Sequence, residues 1–304
     1  MIPNPIGVVI VNYNAGPLLT ASVRAVLAST VPVEVTVVDN ASADDSLPML
    51  RAAVCDDDRL QMLENESNVG FAAANNRVLR SVNTPYVLLL NPDCEVRPDT
   101  LEQVVKAMEM RPRAGIAGCL VRDPDGREQV ASRRSVPTPW RSLIRVLALN
   151  RLFPNNPRFQ SFEQSGQPLP SEPVYLEGIS GAFMFVRRAA MDEVGLLDED
   201  YFLHCEDLDW FMRFHHAGWR ILFVPGAEVV HTKGSCSNGS PLRVLWHKHR
   251  GMVRYYRKFF RDAYPLPMFW AVNAMVWLRF AVLATLSTVK RFATRLFVSG
   301  PNRA

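Results

Sequence analysis

Two aspartates that follow predicted strands could bind a cation or a nucleotide. The apolar run at 86–90 predicts a buried strand that stops before Pro92, which cannot continue a ladder of hydrogen bonds, and Asp93 follows directly. Asp39 follows a second apolar run at 33–38. Since ligands of open α/β sheets bind at the carboxyl ends of the strands, we expect both carboxylates in one crevice. There Asp93 could hold a hard cation on a diphosphate, and Asp39 could accept a hydrogen bond from a base or a ribose; a turn and a helix cap are the competing interpretations.

Three acids within four residues open a predicted helix in the C-terminal half of the chain: Glu206, Asp207 and Asp209. Acids at a helix start interact favourably with the helix dipole, which is a purely structural explanation. These acids follow an aromatic, apolar run, however, and a partly buried carboxylate there could serve as a general base. Arg213 lies four residues beyond Asp209, so the spacing predicts an ion pair on the solvent side of the helix.

Further candidates lie at turns between the predicted elements. Tyr13 follows the first strand, where it could stack on a nucleobase or pack at the rim. Asn68, Gly70 and Asn76 lie around a turn that opens a helix, and a glycine there lets the backbone approach an anionic ligand. His231 ends a strand, but spacing does not show whether it meets the acids. The chain has neither a GxGxxG fingerprint after a strand nor a Walker A sequence, which disfavours dinucleotide-dependent dehydrogenases and P-loop enzymes.

Strands and helices alternate along the first 121 residues, which predicts a parallel sheet with crossover helices. Apolar runs typical of strands occur at 7–11, 33–38, 60–63, 86–90 and 115–121, and helical periodicity occurs at 17–29, 42–54, 71–82 and 101–110. In the C-terminal half we predict ordered structure at 178–186, strands at 219–224 and 228–231, and helices at 188–194 and from 206 to the glycine at 218. Seven prolines fall within 131–175, so we expect a long loop region there, with one helix near 139–149.

Charge divides the chain into a mildly acidic body and a strongly basic tail. The chain has 304 residues and 48% hydrophobic content, enough for one large α/β domain or two small ones. Residues 241–304 hold 12 Lys and Arg against one acid, whereas the first 240 residues hold 22 basic and 29 acidic groups. Within the tail, an apolar stretch at 268–289 contains Asn273 and Arg279, and basic residues mixed with aromatics precede it.

This composition predicts a helical tail on an anionic membrane surface. Packing of the tail on the body or on a second subunit is the alternative, and the acidic body disfavours nucleic acid as a partner. Five scattered cysteines without a CxxC pair indicate a reducing compartment, and the N-terminus lacks the basic region of a signal peptide. We therefore expect a cytoplasmic protein with a body at 1–240 and a tail at 241–304.

Seven segments, in order within residues 7–235, resemble glycosyltransferase family 2 and, within it, the rhamnosyltransferase-like branch. They are VNYN at 11–14, VVDNAS at 37–42, NVGFAAANN at 68–76, LNPD at 90–93, GAFMFVRR at 181–188, EDLD at 206–209 and VPGAEVVH at 224–231. The resemblance implies the GT-A fold, an α/β fold with a mixed, mostly parallel central sheet flanked by helices. It also implies a nucleotide-sugar donor and inversion at the anomeric carbon. The length of the loop region 131–175 separately suggests a lid or an acceptor-binding segment.

The resemblance implies roles for individual residues as well. Residues on the donor side would be Asn12, Tyr13, Asp39, Asn68, Gly70, Asn76, Asn91 and Asp93. Asp93 and His231 would hold Mg²⁺ or Mn²⁺ on the donor diphosphate. Asp207 would be the base that deprotonates the acceptor hydroxyl, with Glu206 and Arg213 supporting it.

The resemblance thus predicts an enzyme that transfers a sugar, L-rhamnose from dTDP-rhamnose, to a saccharide or lipid-linked acceptor in cell-surface polysaccharide synthesis. It would be peripheral on the inner face of the cytoplasmic membrane. Asn91 replaces the first acid of the family's Asp-x-Asp motif, as is common in the rhamnosyltransferase-like branch. Because a neutral amide contributes no charge to a cation, a non-catalytic sugar-nucleotide-binding or scaffold protein on the same fold is the alternative. A nucleotidyltransferase is a third interpretation, but residues 12–16 carry no Lys or Arg for a phosphate loop.

Overall fold

A mixed sheet of nine strands lies at the centre of the described part of the protein. The computed structural model describes residues 4–54, 56–153, 156, 159, 164–232 and 241–298, without the side chains of 146, 150, 151 and 290–298. The strands are β1 (Ile6–Asn12), β2 (Val33–Asp39), β3 (Leu60–Glu64), β4 (Tyr86–Leu90), β5 (Cys94–Val96), β6 (Ala114–Arg122), β7 (Arg133–Arg134), β8 (Val174–Leu176), β9 (Gly178–Ile179), β10 (Phe183–Arg187) and β11 (Arg220–His231). The helices are α1 (Pro17–Leu27), α2 (Ser46–Ala53), α3 (Phe71–Leu79), α4 (Thr100–Glu109), α5 (Pro139–Val146), α6 (Leu149–Leu152), α7 (Arg188–Val194), α8 (Glu206–His216), α9 (Pro241–Phe260) and α10 (Leu266–Val298).

The strand order is β3-β2-β1-β4-β10-β6-β11-β5, with β8 paired to β11. β1 is parallel to β2 and β4, β2 to β3, and β6 to β11. β10 runs antiparallel between β4 and β6, and β5 and β8 run antiparallel to β11. Most strands therefore point the same way, which confirms the predicted mixed, mostly parallel sheet. β7 and β9 form a separate two-stranded ribbon.

The sheet is buried on both faces because helices cover each side. All seven residues of β1 are buried; Ile6, Val8 and Ile10 belong to one hydrophobic cluster, and Val9 belongs to the other. Side chains alternate between faces along a strand, so a strand covered on both faces requires an unbroken apolar run. Helices α1 and α4 complete the first cluster, and α3, α8 and α9 complete the second.

This topology brings the ends of several strands to one edge of the sheet. Asn12 and Asp39, the last residues of β1 and β2, are register partners. The first residue of β10 pairs with the last residue of β4. His231, the last residue of β11, pairs with Cys94 at the start of β5. The chemistry-bearing residues predicted at strand ends are thus gathered by the order of the strands.

Two predicted boundaries shift for local reasons. Helix α2 begins at Ser46 and not at residue 42, because the Asp44 carboxylate accepts a hydrogen bond from the Ser46 amide (3.1 Å) and forms a turn before the helix. The two strands predicted near the end of the body are one strand, β11, with an irregularity between Val224 and Glu228.

The loop region predicted at 131–175 contains regular structure as well. β7, α5, α6 and β8 lie within it, while residues 154–155, 157–158 and 160–163 lie outside the described residues. The single helix predicted there is broken at Ala148, whose φ of 51° is left-handed. The many prolines of this region led to the prediction of a loop, although the residues on either side of the break are helical.

Helix α9 and the beginning of α10 pack onto the body. Tyr255, Tyr256 and Phe260 of α9, with Phe269 and Val272 of α10, belong to the hydrophobic cluster on the second face of the sheet. The predicted boundary at residue 240 therefore does not separate two cores in the described residues. Within α10, the span at 266–289 is long and apolar enough to cross a membrane by length and composition, and 17% of its apolar window is buried.

Candidate active site

Asp93 and His231 meet at the edge of the sheet where β4 and β11 end. The Asp93 Oδ1 and His231 Nε2 atoms are 3.2 Å apart, and both side chains are buried. Asn91 Nδ2 lies 3.5 Å from the same ring nitrogen. The backbone reinforces the contact, because the Thr232 amide donates to the Asp93 carbonyl (2.9 Å). Folding thus brings together the two residues that the resemblance assigned to a metal.

Gln129, which no sequence pattern singled out, fixes the orientation of the His231 ring. Its Nε2 donates to Asp123 Oδ1 (2.7 Å) and to the His231 carbonyl (3.3 Å). Its Oε1 must then be the acceptor in the 2.7 Å contact with His231 Nδ1. Nδ1 therefore donates to Gln129, and Nε2 faces Asp93. A histidine oriented in this way by a partner on its other nitrogen is typical of metal ligands.

This set of donors fits a divalent cation. A carboxylate oxygen and an imidazole nitrogen face the same space, and both are atom types that bind divalent cations. The Cys94 Sγ lies within 4.8 Å of these ligand atoms, but it faces the Ala182 carbonyl (3.6 Å), and hard cations prefer oxygen. A group that could hold a metal therefore exists at this edge, centred on Asp93 and His231.

Asp39 is held in place by polar side chains on the neighbouring strand and loop. Asn12 Nδ2 donates to Asp39 Oδ1 (2.7 Å) and to Ser46 Oγ (2.7 Å), and the Ser42 amide donates to Asp39 Oδ2 (3.0 Å). Asn12 is fully buried, so it orients Asp39 and does not itself face the edge. Each carboxylate oxygen keeps a second lone pair, which could accept a hydrogen bond from a base or a ribose.

A network of asparagine side chains fixes the loop before α3. Asn40 Oδ1 accepts hydrogen bonds from Asn65 Nδ2 (3.0 Å) and the Val69 amide (3.1 Å). Asn40 Nδ2 donates to Asn68 Oδ1 (2.9 Å), which also accepts from the Gly70 amide (3.0 Å). Asn40 was missed by sequence reasoning, although it directly follows Asp39. The network places the start of α3 beside the predicted nucleotide-binding edge.

Gly70 is required by the packing of a neighbouring loop. Its φ is 91°, and a Cβ atom there would lie 2.6 Å from the Phe202 carbonyl oxygen. The same oxygen accepts a hydrogen bond from the Phe71 amide (2.8 Å). The glycine thus joins the donor side to the segment that leads into α8. Tyr13 lies at the rim of the edge with 37% of its surface exposed, which leaves the ring accessible for stacking.

Asn76 does not face the donor side, and the donor-binding prediction for it is wrong. Its Nδ2 donates to the Leu197 carbonyl (2.8 Å) and to Glu199 Oε1 (2.8 Å), and its Oδ1 accepts from the Leu197 amide (3.1 Å). The side chain is buried. Its amide therefore braces the loop that precedes α8.

Asp207 lies in the first turn of α8, where three features hold its carboxylate. Arg134 of β7 forms an ion pair with Asp207 Oδ2 and donates through Nε to the Ile179 carbonyl (2.9 Å). The Leu208 amide donates to Asp207 Oδ1 (2.8 Å). Gly181 leaves the necessary space, because a Cβ atom there would lie 2.9 Å from Asp207 Oδ2. Arg134 lies in the region predicted as a loop, and no sequence signal connected it with the base.

Residues 181 and 182 link the two halves of the site. Gly181 abuts Asp207, and the carbonyl of the next residue, Ala182, accepts a hydrogen bond from the Asn91 amide (3.0 Å). The Ala182 carbonyl also faces Cys94 Sγ (3.6 Å), which belongs to the same group as Asp93 and His231. Two adjacent residues thus contact the Asp207 carboxylate and the group of metal-binding candidates.

Glu206, next to this base, is a buried carboxyl group in an unusual environment. Burial, and after it the charge of Asp207, raises the pKa of Glu206 to about 8, and the charge of Arg134 opposes this rise. Its Oε2 makes no hydrogen bond with the described residues. Glu206 is therefore largely neutral at pH 7, which leaves Asp207 to carry the negative charge that faces Arg134.

Arg213 does not contact the base. Its Nε pairs with Asp209 Oδ1 (2.7 Å), and its Nη1 and Nη2 donate to the carbonyls of Val194 (3.1 Å) and Leu196 (2.7 Å). The predicted pair with Asp209 is formed, but Asp209 is fully buried, so the predicted placement on the solvent side is wrong. Arg213 joins α8 to the end of α7 and reaches Asp207 only through the helix.

Comparison with known proteins identifies the family. Residues 7–195 match the model of the family described as glycosyl transferase family 2. The chain is 30% identical over 300 residues to an N-acetylglucosaminyl-diphospho-decaprenol L-rhamnosyltransferase of Mycobacterium tuberculosis, with 95% of each chain covered. It is 27% identical over 172 residues to the rhamnosyltransferase WbbL of Escherichia coli, covering 55% of this chain and 59% of that protein.

Solved structures agree on the fold. A mannosyltransferase from Pyrobaculum calidifontis in complex with GDP-Man and Mn²⁺ superposes with a TM-score of 0.59 at 20% identity, covering 98% of this chain and 76% of the other. TarS of S. aureus in complex with UDP-GlcNAc superposes with a TM-score of 0.54 at 15% identity, covering 90% and 71%. The chain therefore belongs to glycosyl transferase family 2, has the GT-A fold and is a glycosyltransferase homologous to rhamnosyltransferases.

Proposed function

We propose that the enzyme transfers L-rhamnose from dTDP-rhamnose, with inversion, to a lipid-linked saccharide acceptor. The two rhamnosyltransferase relatives support the sugar, and the name of the mycobacterial one supports a lipid diphosphate acceptor. The observation that carries the proposal is that Asp93 meets His231, while Gly181 abuts the Asp207 carboxylate and the next residue, Ala182, is hydrogen-bonded to Asn91 beside Asp93.

The donor would bind along the edge where β1, β2 and β4 end. Asp39, oriented by Asn12, would accept a hydrogen bond from the base or the ribose, and Tyr13 would stack on the base. Asp93 and His231 would hold Mg²⁺ or Mn²⁺, an ion that offsets charge on the leaving diphosphate.

Asp207 would accept the proton of the acceptor hydroxyl as that oxygen attacks the anomeric carbon. A single displacement inverts this carbon and requires the attacking oxygen on the face opposite the leaving diphosphate. Arg134 and the Leu208 amide hold the carboxylate in one orientation, so little reorganisation is needed when the proton moves. Glu206, in its neutral form, would add no second negative charge near the incoming hydroxyl.

The enzyme would work at the inner face of the cytoplasmic membrane as a peripheral protein of cell-surface polysaccharide synthesis. The basic, aromatic-rich residues of α9 and the largely exposed apolar span of α10 support contact with an anionic lipid surface. Such a position would suit an acceptor that is itself embedded in the bilayer.

Two substitutions separate donor binding from turnover. The first assay measures the rise in melting temperature caused by each of a panel of nucleotide sugars, with and without Mn²⁺ or Mg²⁺. The second assay measures the rate of sugar transfer from the nucleotide sugar that stabilises the protein most. Asp93→Asn should lose the metal-dependent part of the stabilisation, because it removes the only carboxylate charge of the metal candidates. Asp207→Asn should keep that stabilisation and lose transfer by a factor on the order of 10²–10⁴, the usual effect of removing a well-placed base.

The matched control is Asp58→Asn, because Asp58 is an exposed acid far along the chain from Asp93 and Asp207. It should alter neither the metal-dependent stabilisation nor the rate of sugar transfer. Transfer at the wild-type rate by Asp207→Asn would rule out the base assignment. Metal-dependent stabilisation that survives in Asp93→Asn would rule out the metal assignment. A panel in which another nucleotide sugar is bound and transferred in preference to dTDP-rhamnose would replace the proposed donor.

A further inference from the structure

The first half of α9 carries cations that lack acidic partners. Arg243 and Arg250 are exposed there, and the helix contains no Asp or Glu. No carboxylate of the described residues lies within ion-pair distance of Arg243 or Arg250. In the second half, by contrast, Arg254 pairs with acids of the body and Lys258 does the same. Positive charge is thus neutralised at one end of the helix and left available at the other.

The positive potential around these cations contributes to a lowered pKa at two neighbouring histidines. Partial burial, and after it the charges of Arg243 and Arg250, lowers the pKa of His247. Burial also lowers the pKa of His249, with further contributions from Arg279 of α10 and from Lys248. The potential therefore comes from two helices, and we call Arg243, Arg250 and Arg279 the cation cluster.

The cation cluster lies against the segment that leads into the catalytic helix. The Arg243 guanidinium lies over the Phe202 ring, 5.2 Å from its centroid, and the same ring stacks on His247 at 4.4 Å. Where α9 passes residue 204, Gly251 is needed, because a Cβ atom there would lie 2.9 Å from the His204 carbonyl oxygen. Residues 202–204 directly precede Glu206 and Asp207, so an anion held by the cluster would sit close to the acceptor side of the site.

Aromatic side chains adjoin the same cluster. The Trp246 ring packs against Trp277 (5.1 Å between centroids) and Phe280 (5.5 Å) of α10, and Phe280 also contacts His249 (5.6 Å). Trp246 remains 43% exposed. Cations beside exposed aromatic rings match a ligand that joins a charged headgroup to an apolar chain.

We infer that the cation cluster binds the diphosphate of a lipid-linked acceptor, with the start of the lipid chain lying along Trp246, Trp277 and Phe280. This inference rests on the proposed function, which supplies the acceptor class. A diphosphate carries several negative charges in a small volume, and charge-assisted contacts to guanidinium groups are its strongest form of recognition. The sugar attached to such a diphosphate would extend past residues 202–205 towards Asp207.

The test is vesicle binding by the full-length protein. Three phosphatidylcholine vesicles are compared: undoped, doped with a long-chain polyprenyl diphosphate, and doped with phosphatidylglycerol to the same total negative charge. We expect tighter binding to the diphosphate vesicles than to the phosphatidylglycerol vesicles. The double variant Arg243→Gln, Arg250→Gln should raise the Kd for the diphosphate vesicles by about tenfold or more, since two charge-assisted contacts to the diphosphate are lost.

The matched control is Arg257→Gln, Arg261→Gln, which removes the same charge from exposed positions at and just beyond the other end of α9. It should change the Kd by less than about twofold, as expected for diffuse attraction alone. A second test variant, Arg250→Gln with Arg279→Gln, leaves the Arg243–Phe202 stack intact and should show the same loss if the cluster acts as a unit. Equal losses in test and control variants, or a wild-type protein that does not prefer the diphosphate, would overturn the inference.

Metal-dependent stabilisation by nucleotide sugars, measured on the same variants, keeps the two proposals apart. The charge variants should retain it, because the donor edge is formed by other residues. If nucleotide sugars stabilise the protein but the diphosphate preference is absent, only the acceptor site is wrong. If the diphosphate preference is present but no nucleotide sugar binds, the donor assignment is wrong.

Discussion

Glu206 shows how one residue can set the charge of a catalytic pair. It is buried beside Asp207, and its raised pKa of about 8 keeps it largely protonated at pH 7. One carboxylate is therefore left to face Arg134 and an incoming hydroxyl. Two ionised carboxylates at this position would repel each other in a poorly hydrated environment. Under the proposed mechanism, burial of Glu206 thus helps to define which of the two adjacent acids would act as the base.

This environment predicts a pH dependence of stability. The folded protein holds the Glu206 proton more tightly than the unfolded chain does, since the carboxyl pKa rises from 4.5 to about 8 on folding. The free energy of unfolding should therefore fall as the pH rises from 4.5 to about 8, with a contribution of up to about 1.4 kcal/mol per pH unit from this residue. Urea unfolding of Glu206→Gln should show a shallower decline over that range than wild type.

The surface substitution Glu34→Gln is the control, because Glu34 is exposed on β2 and should leave the decline unchanged. If Glu206→Gln and Glu34→Gln gave the same dependence on pH, Glu206 would not be the group that titrates.

At the scale of elements, α9 is fastened to the catalytic helix by charges. The Lys258 ammonium lies 2.6 Å from Asp209 Oδ2 in α8 and 2.7 Å from Asp198 Oδ2 in the preceding loop. Arg254 pairs with the same Asp198 and with Asp200. Since Asp209 is fully buried, these cations provide compensation that solvent cannot supply. The helix that carries the base is thereby positioned partly by the C-terminal tail.

Replacing Lys258 with methionine tests this fastening. The change keeps most of the side-chain volume but leaves one oxygen of buried Asp209 without its cation, and should lower the free energy of unfolding by about 1–3 kcal/mol. Arg257→Met, at an exposed neighbouring position, should change it by less than about 0.5 kcal/mol. Adding Asp209→Asn to Lys258→Met should cost less than the two single changes together, and strict additivity would show that the pair is not coupled.

At the scale of the whole molecule, the C-terminal region has two parts with different roles. Tyr255, Tyr256 and Phe260 of α9 complete the core of the body, as do the first turns of α10. The later part of α10 exposes Leu278, Val282 and other large apolar residues. A core segment and a segment with exposed apolar side chains thus follow each other in one continuous stretch of chain.

Deletion of residues 241–304 should therefore unfold the body, because it removes three buried aromatic side chains. Replacing Leu278, Val282 and Leu286 with serine should instead leave the melting temperature almost unchanged and weaken binding to phosphatidylglycerol vesicles by more than tenfold, since these side chains are 65%, 50% and 60% exposed. Flotation with vesicles and thermal melting measure the two effects.

The control replaces three exposed apolar residues of the body, Met110, Val130 and Leu169, with serine. Vesicle binding should not change in that variant. Equal weakening in both triple variants would show that the exposed face of α10 is not the membrane contact.

The sequence by itself determined the strands of the sheet and the residues at their ends. The strands at 33–38 and 86–90 could be identified without structural information, because the first has valine at alternate positions and the second, covered on both faces, is apolar throughout. Pro92 marked where the second of these strands stops and so placed Asp93 at the correct edge. The order of the seven motifs was then enough to indicate the family and its fold.

Only the tertiary structure decided how the polar side chains are used. Asn76 was predicted to bind the donor but braces a loop, while Asn40 was overlooked; an amide has the same local pattern in either role. Arg134 and Gln129 lie far along the chain from the base and the histidine that they orient, so no local periodicity connects them. Hydrophobic patterning specifies which face of an element is buried, whereas the partners of a buried polar group depend on which backbone and side-chain atoms packing brings within about 3 Å of it.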